Sequence, residues 1–198
     1  MWQERYSTDS YVFGRDPSQF LTKYPEYLVP GRSALAIADG EGRNSVHLAE
    51  AGMKVTAFDF APAGIAKARR LAQERGVEVD FRQADILEWD WAGQQYDAVF
   101  GIFFQFLEPA QRSEVFEKIA DAVKPGSHLL LHGYTPEQIS YGTGGPPRAE
   151  MMYTPQLLRD SFAGLEIVTL ETYLADLDEG AGHSGTSALI DFIARKPA

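Results

Sequence analysis

The chain has 198 residues, a formal net charge of −10 and no cysteine. The acidic surplus argues against a nucleic acid as the main partner, because binding to phosphate backbones needs clustered Lys and Arg. A sequence without thiols excludes disulfides, thiolate zinc sites and cysteine nucleophiles. No apolar run approaches the roughly 20 residues that span a bilayer, and the first residues lack the apolar core of a signal peptide. We therefore expect one soluble, cytoplasmic domain over residues 1–198.

The N-terminal part of the chain, about residues 1–30, is predicted to be an aromatic arm. Its first residues are polar but carry four aromatic side chains: Trp2, Tyr6, Tyr11 and Phe13. Asp16-Pro17 then opens a predicted helix over 18–24, because proline fits the first helical turn. Aromatic side chains outside a core need a surface to cover, so we expect the arm to lie over another part of the domain. Ordinary core packing is the alternative.

From residue 33 onward, apolar strands alternate with amphipathic helices. Strands are predicted over 33–38, 54–59, 77–81, 96–102 and 127–133. Helices are predicted over 44–51, 63–75 and 109–123. This alternation predicts a parallel sheet with right-handed crossovers, and the nearly continuous apolar strands indicate helices on both faces of the sheet.

The last third of the chain departs from this alternation. A flexible loop over 140–147 precedes a predicted helix over 154–162, and two further strands are predicted over 165–173 and 189–194. The segment between these strands, 176–185, is rich in glycine and has no helical periodicity. A parallel connection needs a dozen or more residues, usually as a helix, so this loop predicts neighbouring antiparallel strands. The expected fold class is α/β, with a seven-stranded, mostly parallel sheet and an antiparallel last strand.

Candidate ligand-binding residues follow the first and second strands. Gly40-Glu41-Gly42 comes directly after the first strand and before a helix. Glycines let the backbone approach a ligand there, and the free N–H groups of the helix start point at it. Asp59 ends the second strand, where a carboxylate can hold the two hydroxyls of a ribose. Together they predict the nucleoside-binding half of an α/β sheet. The alternative is that the glycines only turn the chain and that Asp59 is a solvated acid or a helix cap.

The order of these features resembles that of the class I S-adenosylmethionine-dependent methyltransferases, whose fold is a Rossmann-like three-layer sandwich. Five parallel strands, a terminal antiparallel pair, Gly-x-Gly after the first strand and an acid after the second make up the resemblance, which covers nearly the whole chain. Within this superfamily, Gly40-Glu41-Gly42-Arg43-Asn44-Ser45 looks like the glycine loop of the tellurite-resistance and thiopurine methyltransferase branch. The resemblance implies an S-adenosylmethionine-dependent methyltransferase.

By this resemblance, fifteen residues near the strand ends would bind S-adenosylmethionine. The glycine loop would bracket the methionine end, and Asp59 would hold the ribose. Phe60 would pack beside the adenine, and Asp85 would accept a hydrogen bond from the adenine amine. The end of the fourth strand would lie under the sulfonium. The implied cofactor-binding residues are Ala38, Asp39, Gly40, Glu41, Gly42, Arg43, Asn44, Asp59, Phe60, Ala61, Asp85, Ile86, Gly101, Ile102 and Phe103.

One position departs from the family pattern. The family usually carries an acid on the first strand, which helps to hold the methionine ammonium, whereas this chain has Ala36 there. Because the pattern fails at that position, we expect Asp39 or Glu41 to take over that role and Arg43 to meet the carboxylate of the methionine. The departure slightly favours a rival function, that of a non-catalytic S-adenosylmethionine-binding protein.

Three residues are candidates for catalysis. His132 is predicted to end the fifth strand and His183 to lie in the loop between the last two, so both can reach the edge where open α/β sheets bind ligands. Tyr11 is a candidate wall residue from the arm. Either histidine would accept a proton or form a polar wall, and a satisfied structural histidine is the alternative. Dispersed histidines without thiols make a poor ligand set, so no metal site is expected.

The branch resemblance implies direct methyl transfer to a small, soft nucleophile: a thiol, a selenium or tellurium oxyanion, or a similar group. The arm and the loop over 140–147 would form a lid over a small pocket. We expect a monomer or homodimer whose partner is a small-molecule acceptor, with no nucleic acid and no membrane. A nicotinamide-dependent oxidoreductase is the less favoured rival, because Ser45 stands at the third glycine of Gly-x-Gly-x-x-Gly and the last strand is reversed.

Overall fold

One mixed sheet of seven strands organises the described part of the chain, residues 2–198 of a computed structural model. The strands are β1 (Ser33–Ile37), β2 (Lys54–Asp59), β3 (Asp80–Gln83), β4 (Tyr96–Ile102), β5 (Val123–Tyr134), β6 (Glu166–Asp178) and β7 (Ser184–Arg195). Their order across the sheet is β3-β2-β1-β4-β5-β7-β6. Strands β1 to β5 pair in parallel, whereas β7 runs antiparallel to both β5 and β6. The predicted α/β fold class, mostly parallel with an antiparallel last strand, is confirmed.

Helices cover the sheet and connect its strands. Within the described residues, the α-helices are α1 (Trp2–Tyr6), α2 (Gln19–Lys23), α3 (Arg43–Glu50), α4 (Pro62–Arg75), α5 (Pro109–Ala122) and α6 (Pro155–Ser161). Short 3₁₀ helices occupy Pro25–Tyr27, Pro136–Ser140 and Ala149–Met151. Proline in the first turn starts α4 and α5, and Gly76, with a φ of 67°, ends α4. Over residues 2–198, no helix combines the length and apolar character needed to cross a membrane.

The central strands are buried on both faces, because their side chains alternate between two helical layers. On one face, Leu35 and Ile37 of β1 join a core cluster that includes Phe116 of α5. On the other face, Ala34 packs in a cluster with Phe20 of α2. Because β1, β2 and β4 are parallel, their carboxyl ends lie at one edge of the sheet, and the loops that follow them meet there.

The edge strand β3 spans Asp80–Gln83 rather than the predicted 77–81, so it begins three residues later and ends two residues later. The apolar alternation behind that prediction comes from Val77 and Val79, which pack against a cluster formed largely by α4. Backbone pairing with β2 begins only at Asp80. At the other end of the parallel sheet, β5 begins earlier than predicted, because it follows α5 directly.

Strands β6 and β7 form a longer hairpin than predicted. The turn between them comprises only residues 179–183, rather than a loop over 176–185. Most side chains of the edge strand β6 are exposed, and its extension beyond the predicted end at Tyr173 depends on backbone pairing with β7. The hairpin turn meets the N-terminal arm, where Gly182 N donates a hydrogen bond to the carbonyl oxygen of Val12 at 3.2 Å.

Candidate functional site

A cavity of about 280 Å³ lies at the carboxyl edge of β1, β2 and β4. The arm contributes Trp2, Tyr6 and Phe13 to its lining, and the hairpin turn contributes His183. One cavity therefore collects residues from both ends of the chain and from the strand ends between them. Of the fifteen residues predicted to bind the cofactor, twelve line it: Ala38, Asp39, Gly40, Glu41, Arg43, Asn44, Asp59, Phe60, Asp85, Ile86, Ile102 and Phe103.

The other three predicted cofactor residues, Gly42, Ala61 and Gly101, support the walls from behind. Gly42 caps α3 with a φ of 89°, and a Cβ there would lie 2.6 Å from the Cβ of Ala68. A Cβ on Gly101 of β4 would lie 2.4 Å from the ring of Phe104. Ala61 precedes α4 and donates its N–H to the carboxylate that ends β2. These glycines are required for close packing, since any side chain would collide with a neighbouring element.

Asp59 joins the glycine loop to the start of α4. The side chain is buried, and its Oδ2 accepts a hydrogen bond from Gly40 N at 2.9 Å while its Oδ1 accepts one from Ala61 N at 2.8 Å. Burial raises the pKa of this carboxyl, although the backbone donors oppose the shift. A carboxylate offers about four acceptor positions, so Asp59 retains capacity for the hydroxyls of a ribose.

Two residues with a strained backbone flank the cavity. Ala38 has a φ of 49° and Phe103 a φ of 56°, and they are the two non-glycine residues with positive φ between residues 2 and 198. Ala38 follows β1, Phe103 follows β4, and both line the cavity. The left-handed conformation costs an L-residue about 1–2 kcal/mol. Such strain concentrates at ligand sites, so the two positions mark the cavity independently of its shape.

Asp39 lies just after β1, on which this chain carries Ala36 where the resembling family usually has an acid. Its Oδ1 accepts a hydrogen bond from Ser45 N at 3.1 Å, and its Oδ2 pairs closely with the Ser45 hydroxyl. Burial raises the pKa of Asp39 to about 7, even though both contacts with Ser45 favour the ionised form. A cation bound beside this carboxyl would lower its pKa again, so the site is suited to an ammonium group.

Residues from the ends of β2 and β3 line another part of the cavity. Phe60 is 62% exposed although it lines the cavity. Asp85, which also lines it, uses its Oδ1 to accept a hydrogen bond from Leu87 N at 2.9 Å. Phe58, a third lining residue, stacks on Trp89 with ring centroids 4.2 Å apart. An exposed aromatic ring and a carboxylate in the same cavity fit a flat heteroaromatic ring that carries an amine.

The arm closes another side of the cavity and is held there by Glu41. Oε2 of Glu41 accepts a hydrogen bond from Val12 N at 2.8 Å, and Oε1 lies 2.7 Å from Lys67 Nζ. Lys67 also donates to the carbonyl oxygen of Ser10 at 2.7 Å. Groups of the protein therefore engage both oxygens of Glu41. The Gly-x-Gly motif does not reveal this role, because it depends on the arm folding back over the loop.

A buried charged cluster joins the glycine loop to the hairpin turn. Arg43 Nη2 lies 2.7 Å from Glu179 Oε2, and both side chains are buried. Oε1 of Glu179 accepts hydrogen bonds from Gln19 N at 2.7 Å and from the Ser18 hydroxyl at 3.2 Å. His183 Nδ1 lies 3.7 Å from Oε2. Glu179 was missed at the sequence level, because its partner Arg43 stands 136 residues earlier in the chain.

These contacts set the charges of the cluster. Burial opposes the ionisation of Glu179, but the approach of His183, the charge of Arg43 and the N–H of Gln19 outweigh it and lower the pKa of Glu179 to about 2. Burial also lowers the pKa of His183; Glu179 offsets part of this effect, and Arg43 adds to it. At neutral pH the pair therefore consists of a carboxylate and an uncharged imidazole.

His132 and Tyr11, the other two predicted catalytic residues, lie outside the cavity lining. His132 is buried, with its Nδ1 2.7 Å from Asp191 Oδ1 and its ring stacked on Phe20. Tyr11 donates its hydroxyl to the carbonyl oxygen of Lys67 at 3.0 Å. Both residues thus have hydrogen-bonding and packing partners outside the cavity lining, and their roles as proton acceptor and wall residue stay predictions.

The loop over 140–147, which was expected to share the lid, packs against the hairpin turn and does not itself line the cavity. A Cβ added to Gly144 would lie 2.9 Å from the carbonyl oxygen of Gly182 and 3.5 Å from Cδ2 of His183, and one added to Gly145 would lie 2.9 Å from the ring of Tyr134. Of the two segments expected to form the lid, only the arm contributes to the lining. From residue 2 to the C-terminus, no three or more His, Asp or Glu side chains are grouped so that they could hold a metal ion.

Comparison with known proteins connects this geometry to methyltransferases. Residues 34–126 match a family described as a methyltransferase domain. A demethylmenaquinone methyltransferase from Renibacterium salmoninarum is 30% identical over 131 residues, which cover 66% of this chain and 50% of that protein. A ubiquinone biosynthesis O-methyltransferase from Methylobacterium nodulans is 36% identical over 115 residues, covering 58% of this chain and 43% of that protein. The chain spans about half the length of these curated relatives.

A solved methyltransferase shares the fold. The magnesium protoporphyrin IX methyltransferase from Synechocystis PCC 6803, solved with bound S-adenosylmethionine, has a TM-score of 0.67 and 19% identity, covering 90% of this chain and 78% of that chain. The segment matched by the family, 34–126, contains the glycine loop, Asp59, Asp85 and the end of β4, whereas the arm and the hairpin turn lie outside it. These comparisons show a likeness to a methyltransferase domain over residues 34–126 and a Rossmann-like fold shared over most of the chain.

Proposed function

We propose that the protein transfers a methyl group from S-adenosylmethionine to a small acceptor inside this cavity. The observation that carries the proposal is the meeting of the glycine loop, Asp59, Asp85 and the end of β4 around one cavity. All of these lie in the segment that matches the methyltransferase domain family. The named methyltransferases among the relatives support the same reaction class.

The chain's own residues fit the cofactor. The exposed ring of Phe60 and the carboxylate of Asp85 would hold the adenine, and Asp59 would accept from the ribose. Asp39 would face the methionine ammonium in place of the missing acid at β1. Among the described residues, Nη1 of Arg43 is buried without a hydrogen-bond partner, which fits a carboxylate ligand. When bound, the cofactor supplies an electrophilic methyl group on a cationic sulfur.

The size of the cavity and the arm over it support a small acceptor. The volume of about 280 Å³ leaves little room beside a nucleoside, and aromatic rings of the arm cover one side of the site. Direct displacement asks the protein mainly to align the acceptor with the methyl group. A small, soft nucleophile such as a thiol or a selenium or tellurium oxyanion fits these demands. The likeness of residues 40–45 to the loop of the tellurite-resistance and thiopurine branch supports it.

A second acceptor class is a small hydroxylated aromatic ring. The names of the relatives, which include a ubiquinone biosynthesis O-methyltransferase, favour this class. So do the aromatic walls, where Trp2, Phe13 and Phe106 face the cavity. Flat aromatic acceptors would pack between such rings.

Calorimetry and a turnover assay test the proposal. We expect S-adenosylmethionine and S-adenosylhomocysteine to bind with micromolar affinity and to raise the melting temperature, and NAD to do neither. Mass spectrometry should then detect a methylated product from a panel of thiols, phenols, selenite and tellurite. Binding of NAD in place of the sulfonium nucleoside would overturn the proposal. Cofactor binding with no product across the panel would favour the non-catalytic rival.

A further inference from the structure

The turn of the β6–β7 hairpin carries a carboxylate–imidazole pair that cofactor binding does not account for. Glu179 is held by donors from α2 and α3 together, since Gln19 N and Arg43 Nη2 each lie 2.7 Å from one of its oxygens. This double anchoring prevents the carboxylate from swinging away. The carboxylate also faces His183, whose Nδ1 lies 3.7 Å from Oε2 of Glu179.

His183 is held in place from both sides. Its ring lies 4.5 Å from the ring of Phe13 in the arm and 4.2 Å from the ring of Phe103, which follows β4. Nδ1 is buried and has no hydrogen-bond partner among residues 2–198, and 3.7 Å is longer than a hydrogen bond. A small rotation of the ring would let Nδ1–H donate to Glu179. The tautomer would then carry its proton on Nδ1 and leave the Nε2 lone pair for the cavity.

Charged groups around His183 favour the neutral ring. Burial lowers its pKa, the positive charges of Arg43 and of protonated His132 would lower it further, and Glu179 opposes them in part. The ring of Tyr134, with its centroid 5.7 Å away, completes the surroundings. An uncharged imidazole at neutral pH is ready to accept a proton.

The charges of the lining disfavour an anionic acceptor. Arg43 is the only Lys or Arg that lines the cavity in the described part of the chain, and Glu179 already pairs with it. The lining contains four acids, Asp39, Glu41, Asp59 and Asp85, of which, among residues 2–198, only Glu41 pairs with a basic side chain, that of Lys67. Such a cavity attracts a cationic cofactor and repels selenite or tellurite. A neutral acceptor must instead lose a proton when its sulfur or oxygen gains a methyl group.

We propose that the acceptor is a neutral thiol or hydroxyl compound, that Nε2 of His183 takes its proton, and that Glu179 is the positioning residue that orients the imidazole. The proton of the S–H or O–H forms a new bond to Nε2. The acceptor's electron pair forms the bond to the methyl carbon, and the pair of the old carbon–sulfur bond stays with the cofactor's sulfur. The positive charge thereby passes from sulfonium to imidazolium. This inference rests on the proposed methyl transfer.

Nitrogen NMR of the histidine rings tests the positioning role without any substrate. His183→Gln identifies the His183 signals. In the wild type at pH 7.5 we expect a neutral ring with the proton on Nδ1, and a proton on Nε2 or a charged ring would overturn the proposal. In Glu179→Gln, proton binding to His183 should weaken about tenfold, because the opposing charge is gone while Arg43 remains. Unchanged titration in that variant would also overturn it.

Glu166→Gln is the matched control, because this carboxylate lies at the far end of the same hairpin and is exposed. It should leave the His183 titration unchanged. Glu179→Asp restores the charge and should restore most of the proton affinity. If Glu179→Gln does not fold, the nitrogen NMR spectrum of the wild type still tests the proposal, because the proposal requires Nε2 of His183 to be unprotonated.

Turnover tests the proton acceptor itself, with benzyl mercaptan, phenol and selenite as probes. We expect methylation of a neutral probe, with kcat/KM rising as His183 loses its proton. His183→Gln should lower it about 100-fold or more while S-adenosylmethionine affinity stays within about threefold. Methylation of selenite in preference to both neutral probes, or an unaffected His183→Gln enzyme, would overturn the proposal. Failure of cofactor binding would instead overturn the proposed function, so the two outcomes are distinguishable.

Discussion

The two sides of the cavity are built in different ways. One side, which we propose binds the cofactor and call the cofactor side, comes from residues 34–126, where turns directly after β1, β2 and β4 present backbone groups and acids. The other, which we propose binds the acceptor and call the acceptor side, comes from the arm and the hairpin turn, which supply aromatic rings and buried ion pairs. The first side depends on short-range features of a parallel sheet, whereas the second depends on segments that meet only in the folded chain. We infer that the fold provides methyl-donor binding and that the chain ends adapt it to an acceptor.

Buried ion pairs connect the two sides. Lys67 with Glu41 holds the arm, and Arg43 with Glu179 holds the hairpin turn, each at 2.7 Å and each with little exposed surface. Burying charges costs desolvation energy, so such pairs add little net stability, but removal of one partner leaves a charge that is expensive to bury. Their effect here is to determine where the arm and the turn sit relative to the glycine loop.

The largest effect is expected on the cofactor side, from Asp59→Ala. The variant leaves the N–H groups of Gly40 and Ala61 without their acceptor, at about 1–3 kcal/mol each, and removes the predicted ribose ligand. We expect affinity for S-adenosylhomocysteine, measured by calorimetry, to fall about 100-fold or more. Asp97→Ala is the matched control, since Asp97 accepts from Ser33 N at the opposite end of β1. It should lower the melting temperature but keep the affinity; equal losses in both variants would contradict the placement of the site.

A smaller effect is expected on the acceptor side, from Glu41→Gln. The change removes the charge that holds Lys67 and weakens the contact with Val12, so the arm should loosen. Acrylamide quenching of tryptophan fluorescence should increase, because Trp2 lies in the arm, and the cofactor should dissociate about tenfold faster. The exposed pair of Arg82 and Asp80 supplies a control, Asp80→Asn, which should change neither quantity. An unchanged dissociation rate in Glu41→Gln would show that the arm is not a lid.

Asp39→Asn tests whether protonation of Asp39 makes the stability and the cofactor affinity of the protein depend on pH. Because the folded-state pKa of Asp39 is raised to about 7 from an ordinary 3.8, its contribution to stability is complete below about pH 4 and is lost as the pH rises through 7. The variant should therefore gain stability over the ligand-free wild type as the pH increases. Wild-type cofactor binding should strengthen from pH 6 to 7.5 with release of a proton, measured by calorimetry in two buffers. Proton release that persists in Asp39→Asn would refute this assignment.

The smallest effect is expected from Ala38→Gly. Glycine relieves the left-handed strain of about 1–2 kcal/mol. It also raises the conformational entropy of the unfolded chain, which offsets part of this gain in stability. A net gain of about 0.5–1 kcal/mol should raise the melting temperature by about 2 °C. Ala34→Gly, in β1 at a buried position without positive φ, should lower it. A lower melting temperature in Ala38→Gly would mean that the strain at this position is absent.

The same contrast explains how much could be predicted from the sequence. The parallel strands, the glycine loop and Asp59 were predictable because apolar runs, glycine and a strand-end acid are local signals. The position of β3 was wrong because Val77 and Val79 serve helix packing rather than strand pairing. Their alternation looks the same in either role.

The sequence patterns that indicate the acceptor side are weaker. His183 reached the cavity as predicted, whereas His132 pairs with Asp191 instead. No local sequence pattern distinguishes these two histidines, because the surroundings of each depend on how β5, β6 and β7 pair. Glu179 was not predicted because its partners become neighbours only when the hairpin turn meets α2 and α3.

A crystal structure of the complex with S-adenosylhomocysteine would show whether the nucleoside binds in this cavity and in which direction. We expect the adenine against Phe60 with its amine at Asp85, the ribose at Asp59 and the amino group at Asp39. We also expect the thioether sulfur near Phe103, on the side that His183 faces. A nucleoside bound in the reverse direction, or bound outside the edge formed by β1, β2 and β4, would contradict the account.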